Sequence, residues 1–153
     1  IEEYTQAKEK ILAPNALKII GINSVISKNI YLKLKKIYGT KILPISNSEK
    51  ISNGIFCNDE RLEDNFFDQK NYLLSKLPHL QGSHNKENIA IAYALCRALL
   101  VAGSFIIKAL ESFKGLNHRM QYIGSCQNID FYNDSKATNI SSSLASLSSF
   151  ENI

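Results

Sequence analysis

The chain has 153 residues, 44% of them apolar and 21% charged, with 18 lysines and arginines against 14 aspartates and glutamates and a net charge of +4. That apolar content supports a packed core in one domain and excludes a disordered tail. The mild positive charge comes without tryptophan, an arginine-rich run or a nucleic-acid motif, which argues against a nucleic-acid partner and for a small phosphate-bearing ligand.

Cys57, Cys96 and Cys126 are odd in number and far apart, which argues against a disulfide framework or a paired metal site and for free thiols in a reducing cytosol. The apolar stretch 88–107 is interrupted by Arg97 at its centre and by Gly103-Ser104, so two packed helices are expected rather than a membrane span. Ile1-Glu2-Glu3 lacks the basic start of a secretory leader, and the absence of an initiator methionine suggests a piece of a longer protein.

Ile1, Tyr4, Lys8, Ile11 and Leu12 recur at spacings of three and four, which predicts a helix over residues 1–12. Lys8 shares its face with apolar groups. It either snorkels to the surface or, partly buried, holds a neutral amine open to carbamate formation with carbon dioxide. Leu17–Ile22 reads as a buried strand, Ser27 as the cap of an amphipathic helix Lys28–Tyr38 ended by Gly39, and Lys41–Ile45 as a second strand, making a βαβ unit. Asn53-Gly54 within 51–55 predicts a type I′ hairpin. Asp59–Asn71 is polar and predicts a loop, and Tyr72–Leu77 predicts a strand stopped by Pro78.

From Gly82 the pattern turns helical, with Ile89–Ala102 apolar nearly all round, hence expected to be buried, and closed by Gly103. Ser104 is then expected to cap a second helix through Phe113. Asn85 and Asn88 stand three apart at the helix entrance. Their amides either face together, as an adenine edge would require, or serve only as caps. His79, His84 and His118 show no metal-ligand spacing and read as hydrogen-bonding loop residues. Ile129–Tyr132 is β-prone, Asn133-Asp134-Ser135 is turn chemistry, and Ser141–Leu147 reads as a short helix opening after Thr138-Asn139. In that loop Asp134 can accept paired hydroxyls such as a ribose diol, Lys136 can neutralise phosphate, and Thr138 can donate to a carboxylate or phosphate oxygen. The alternative is a capped helix entry with a solvated acid and base.

Four segments occur in order: Tyr4-Thr5-Gln6-Ala7-Lys8-Glu9-Lys10-Ile11, Gly82-Ser83-His84-Asn85 with Asn88, Gly115-Leu116-Asn117-His118-Arg119, and Asn133-Asp134-Ser135-Lys136-Ala137-Thr138-Asn139. They resemble the motifs YxxAKxxI, GxHNxxN, GLPHR and NDSKATN of the Mur ligases, most closely the members that add D-glutamate. The resemblance covers almost the whole chain and is weakest over 40–80. It implies an α/β fold: the back half of a central ATPase domain over 1–114, a mixed sheet with flanking helices, then a hinge and the first strand and helix of a Rossmann-like C-terminal domain over 115–153.

The resemblance also implies an activity, the ATP-driven formation of an amide between UDP-N-acetylmuramoyl-L-alanine and D-glutamate through an acyl phosphate. ATP and Mg2+ would be required, in a cytoplasmic enzyme that is monomeric at full length and has no nucleic-acid or membrane partner. Residue by residue, Lys8 would become a carbamate that helps hold magnesium, and Asn85 and Asn88 would face adenine. Arg119 would approach the phosphates, Asp134 would take the ribose, Lys136 would support the nucleotide, and Thr138 would meet the glutamate carboxylate. His118 would shape the hinge. Asn117 departs from the family's proline, which frees a backbone angle without removing a catalytic group. No GxxxxGK[ST] phosphate loop occurs in these residues, so the chain by itself is expected to be inactive and to expose apolar faces and a sheet edge. A folylpolyglutamate-type or other amino-acid-adding ligase, a non-catalytic nucleotide-binding paralogue and a generic α/β module remain alternatives.

Overall fold

The computed structural model describes residues 10, 15–75, 77, 79–80 and 82–150. The helix expected over 1–12, and Lys8 with it, lies outside the described residues apart from Lys10. The first repeating unit is strand β1 (Lys18–Gly21), helix α1 (Val25–Tyr38) and strand β2 (Ile42–Ser46), with β1 and β2 parallel as the βαβ reading requires. The cap of α1 is Ser24 rather than Ser27. The Ser24 hydroxyl accepts from the Ser27 amide at 3.1 Å while the Ser27 hydroxyl meets the Ser24 amide at 3.3 Å, so Ser27 is the third residue of a reciprocal capping box and the helix starts earlier. Gly39 ends it with φ 56°, its amide donating to the Lys35 carbonyl.

The sheet continues with β3 (Ile55–Cys57), β4 (Arg61–Asp64) and β5 (Lys70–Leu73), in the order β1-β2-β3-β4-β5. β3 runs parallel to β2 and the last two pairings are antiparallel, so the sheet is mixed, as expected for this fold class. Two expectations fail here. The 51–55 segment is no hairpin, because β2 and β3 are parallel and neither Asn53 nor Gly54 has positive φ. Gly54 is needed for close approach instead, since a Cβ there would lie 2.6 Å from the Pro44 carbonyl oxygen. Nor is 59–71 a loop throughout, because the fold pairs the charges that made it look solvated. Glu63 meets Arg61 at 2.7 Å and Lys50 at 3.1 Å, and Asp64, fully buried, accepts from the amides of Phe66 and Phe67 and from the Tyr93 hydroxyl.

Helices α2 (Ser83–Ala98) and α3 (Gly103–Ser112) pack on one face of the sheet. Leu43, Ile45, Ile55 and Leu62 meet Ile89, Ala90, Tyr93 and Ala94 of α2 and Ile106 and Ile107 of α3 in the main core. On the other face Ile22 and Ile42 pack with Tyr31 and Leu34 of α1. This alternation along β2 is the two-residue period of a strand buried on both sides. The α2–α3 boundary differs from expectation. Leu100 adopts φ 65° and the Arg97 guanidinium donates to the Val101 carbonyl at 2.9 Å, which stops α2 at Ala98. Leu95, Leu99 and Leu100 are exposed, so α2 is buried along one face and not all round. Gly103 opens α3 without a cap from Ser104, and a Cβ on it would overlap the hydroxyls of Tyr72 and Tyr93.

Beyond Gly115 the chain forms a two-stranded antiparallel ribbon, β6 (Gln121–Cys126) and β7 (Ile129–Asn133), followed by helix α4 (Ile140–Leu147). The turn between the strands, Gln127-Asn128, has φ of 50° and 62°, the two positive angles of a type I′ turn. Tyr132 of β7 packs against Phe150 in a tilted arrangement with ring centroids 4.9 Å apart, holding the segment after α4 against the ribbon.

Candidate active site

The α2 residues His84, Asn85, Asn88, Ala92 and Cys96 recur at helical spacings and share a face. That face lines a cavity of about 860 Å3. Helix α3 adds Ile106, Ala109 and Leu110 to the lining, and Phe113 just past its end joins them, giving it apolar surface. Leu116, Arg119 and Met120, the loop residues Asp134, Lys136, Ala137 and Asn139, and Ser142, Ala145 and Ser146 of α4 complete it. A mostly apolar concavity with a few convergent polar and charged groups is the form of a small-molecule site.

Backbone geometry brings these parts together. Gly115 has φ 82° and faces His79, where a Cβ would come within 3.3 Å of the His79 Cβ. His118, also at positive φ, presents its carbonyl to the Lys136 amide at 3.1 Å, and its Nδ1 lies 3.1 Å from the Asn133 side-chain nitrogen. These bonds tie the 116–120 segment to the loop after β7. At the far end, Gly82 and Ser149 approach so closely that a Cβ on Gly82 would overlap the serine hydroxyl, bringing α4 against the start of α2.

The loop itself is held by its short polar side chains. Asn133 Oδ1 accepts from the Ser135 amide at 3.1 Å, and Asn139 caps α4 by accepting from the Ser142 amide at 2.8 Å, with the Ser142 hydroxyl completing a capping box. The Asp134 carboxylate accepts from the Met120 amide through Oδ1 at 3.1 Å and from the Ser146 hydroxyl through Oδ2. Neither Arg119 nor Lys136 has an ion-pair partner among the described residues. Both cations border the cavity, so its electrostatic bias is toward anions. On α2 the Asn88 amide donates to Asn85 Oδ1 at 3.4 Å, so the two side chains face together. Beside the loop, burial pushes the Tyr132 phenol up from its ordinary value, with Asp130 and Tyr122 adding to the effect.

Asn85, Asn88, Arg119, Asp134 and Lys136 therefore border one cavity although they come from three separate sequence segments. Thr138 lies apart, in a shallow open depression with Ile140, Ser143 and Leu144. Among the described residues no cluster of three or more His, Cys, Asp or Glu side chains could hold a metal ion. No described helix is long and apolar enough to cross a membrane.

Relatives of this arrangement are found over the whole chain. It is 38% identical over 156 residues to the UDP-N-acetylmuramoylalanine--D-glutamate ligase of Rickettsia prowazekii (strain Madrid E), covering 100% of this chain and 34% of that relative. It is 36% identical over 156 residues to the protein of the same name from Rickettsia bellii (strain RML369-C), covering 100% of this chain and 35% of that relative. With the counterpart from Rhizobium meliloti (strain 1021) it shares 33% identity over 160 residues, covering 100% of this chain and 33% of that relative. The chain belongs to the Mur ligase family. It spans about a third of the length of the curated relatives it matches. No protein-family model matches it. The fold of a Mur ligase is seen again in two crystal structures of MurF from Acinetobacter baumannii. One superposes with a TM-score of 0.70 at 22% identity over 94% of this chain and 32% of that one. The other has a TM-score of 0.60 at 22% identity over 83% of this chain and 27% of that one.

Two groups bordering this cavity are not signalled by the motifs of the sequence, the Met120 amide and the Ser146 hydroxyl, both on Asp134. Met120 carries no side-chain signal for the bond its backbone makes. Ser146 follows Asn139 and Ser142 at spacings of three and four, so a helical-face count from the cap would have brought it to the loop side.

Proposed function

We propose that this chain is the nucleotide-binding and hinge portion of an ATP-dependent, ADP-forming ligase that joins D-glutamate to UDP-N-acetylmuramoyl-L-alanine in peptidoglycan precursor synthesis. The observation that carries the reading is the meeting of Asn85, Asn88, Arg119, Asp134 and Lys136 around one cavity with apolar surface. Whole-length similarity to relatives bearing the D-glutamate ligase name supports the choice of substrates.

In this reading ATP is a substrate. Its adenine lies between the apolar α2–α3 surface and the paired amides of Asn85 and Asn88, and its ribose diol donates to Asp134. Arg119 and Lys136 stabilise charge on the phosphates. The alanine carboxylate of the first substrate attacks the γ-phosphate, and the amine of D-glutamate, held at its carboxylate by Thr138, displaces phosphate from the acyl phosphate. Such a reaction needs little covalent help from side chains, so positioning and cationic stabilisation dominate. Magnesium and a carbamate on Lys8 belong to the same proposal. The described residues do not by themselves form a metal site, so no step is routed through the ion. Residues 1–114 would belong to the ATPase domain and 115–153 to the hinge and the start of the glutamate domain, in a cytoplasmic enzyme that is monomeric at full length.

The test uses the full-length gene that contains this segment, supplied with ATP, UDP-N-acetylmuramoyl-L-alanine and D-glutamate. Phosphate release is expected, D-alanine is not expected to replace D-glutamate, and Asp134→Ala or Lys136→Ala is expected to reduce release by at least about a hundred-fold. Undiminished release by either variant would refute the site. The 153-residue chain alone is expected to release no ADP.

A further inference from the structure

Resting on the nucleotide reading of the cavity, the geometry points to Ser146 as a positioning residue that fixes the Asp134 carboxylate for recognition of a ribose diol. A carboxylate on a loop rotates unless both of its oxygens are held. Here Oδ1 accepts from the Met120 amide at 3.1 Å and Oδ2 accepts from the Ser146 hydroxyl, so the carboxylate plane is set from two separate elements, the 116–120 segment and α4. The Ser146 hydroxyl also lies 3.1 Å from the Ser142 carbonyl but carries one proton, and the charged acceptor is the stronger partner.

Two oxygens offer about four acceptor positions, so these two bonds leave about two for incoming hydroxyls. A ribose presents two adjacent hydroxyls, and a fixed carboxylate receives both without first losing rotational freedom. Asp134, half-buried, and Ser146 both border the cavity that Asn85, Asn88 and Lys136 line, so the held carboxylate belongs to the same space as the amides and the Lys136 ammonium. Without the hydroxyl, one oxygen loses its internal donor and the carboxylate turns toward water.

The experiment titrates the isotopically labelled full-length protein that contains this chain with ATP and with 2′,3′-dideoxy-ATP, following amide resonances. The native chain is expected to bind ATP more tightly than the dideoxy compound by about ten-fold or more, the size of hydrogen bonds to a charged acceptor. Ser146→Ala, a change that favours helix, is expected to leave dideoxy-ATP affinity unchanged and to collapse the ratio to within about two-fold. Ser146→Thr keeps the hydroxyl and is expected to restore the preference, a rescue that loss of mere packing would not show. ATP binding with a ratio unaltered in Ser146→Ala would overturn this inference alone. A native chain that binds neither nucleotide would overturn the nucleotide reading and this inference with it.

Discussion

Replacing Tyr93 by phenylalanine removes one oxygen from a fully buried polar contact of the core. The Tyr93 hydroxyl donates at 2.8 Å to Asp64 Oδ2, and both residues are fully buried. The same carboxylate has two backbone donors, the amides of Phe66 and Phe67 at 3.1 and 2.8 Å, while Arg97 Nε stands off at 3.8 Å. Since the phenyl ring keeps its packing against Tyr72, the loss is that of a hydrogen bond to a charged acceptor, about 1.5–3 kcal/mol. For a chain of this size about 2 kcal/mol corresponds to a Tm lower by about 4–8 °C. The pH dependence provides a second check. Burial, followed by the bond to Asp64, pushes the Tyr93 phenol far above its ordinary value of 10.0, so the folded state keeps its proton after the unfolded chain has lost it. Its contribution is complete below pH 10.0 and declines as pH rises further, and the variant lacks this decline. Urea unfolding at neutral pH and above pH 10 measures both effects. A variant within about 0.5 kcal/mol of the parent at neutral pH would refute the assignment of Asp64 as a carboxylate held by Tyr93.

Burial pushes the Cys57 thiol from 9.0 up to about 12, against a smaller opposing effect of Lys86, so its contribution to stability is complete below pH 9.0 and is lost as pH rises toward 12. Cys57→Ala is expected to flatten the stability curve in that window by up to about 1.4 kcal/mol per pH unit, read by urea titrations in stepped buffers; parallel curves would contradict it. Gly103→Ala would gain in helix propensity but forces the hydroxyls of Tyr72 and Tyr93 aside, and a net loss of about 1–3 kcal/mol is expected by thermal denaturation. An alanine variant as stable as the parent would show that the two tyrosines yield freely.

What could be read from residues alone follows from how local each signal is. The βαβ unit was legible because apolar periodicity and Gly39 act within a few residues, and α4 because Asn139 and the following serines and leucines do the same. Asn53-Gly54 carries the hairpin signature but the hairpin lies at Gln127-Asn128, where the pairing of β6 with β7 forces positive φ on residues with a weaker preference for it. Strand β4 was hidden because Glu63 and Asp64 look solvated until Lys50 and Tyr93 are brought to them from elsewhere, Glu63 also pairing with Arg61 on the same strand. The cavity was legible through its motif residues, while the groups that hold Asp134 were not, since a backbone amide and a hydroxyl one helix away act only once the chain has closed on itself.

The register between β2 and β3 explains how two parallel neighbours are joined without a crossover helix. Only Ile45 and Ser46 of β2 pair with β3, so the new strand begins beside the end of the old one and the chain need not travel back along the sheet. With so short a seam, the β3-β4-β5 meander takes its position largely from α2, whose Ile89, Ala90 and Tyr93 share the core with Ile55, Cys57 and Leu62. Asn47 and Gly54 pin the two ends of the connection, at Asn23 and Pro44, while Glu49, Lys50, Ser52 and Asn53 between them are exposed. Added length there would leave both anchored ends in place, since doubling a flexible connection costs only about 0.6 kcal/mol, and would act instead on the ion pairs of Glu49 with Lys28 and Lys50 with Glu63.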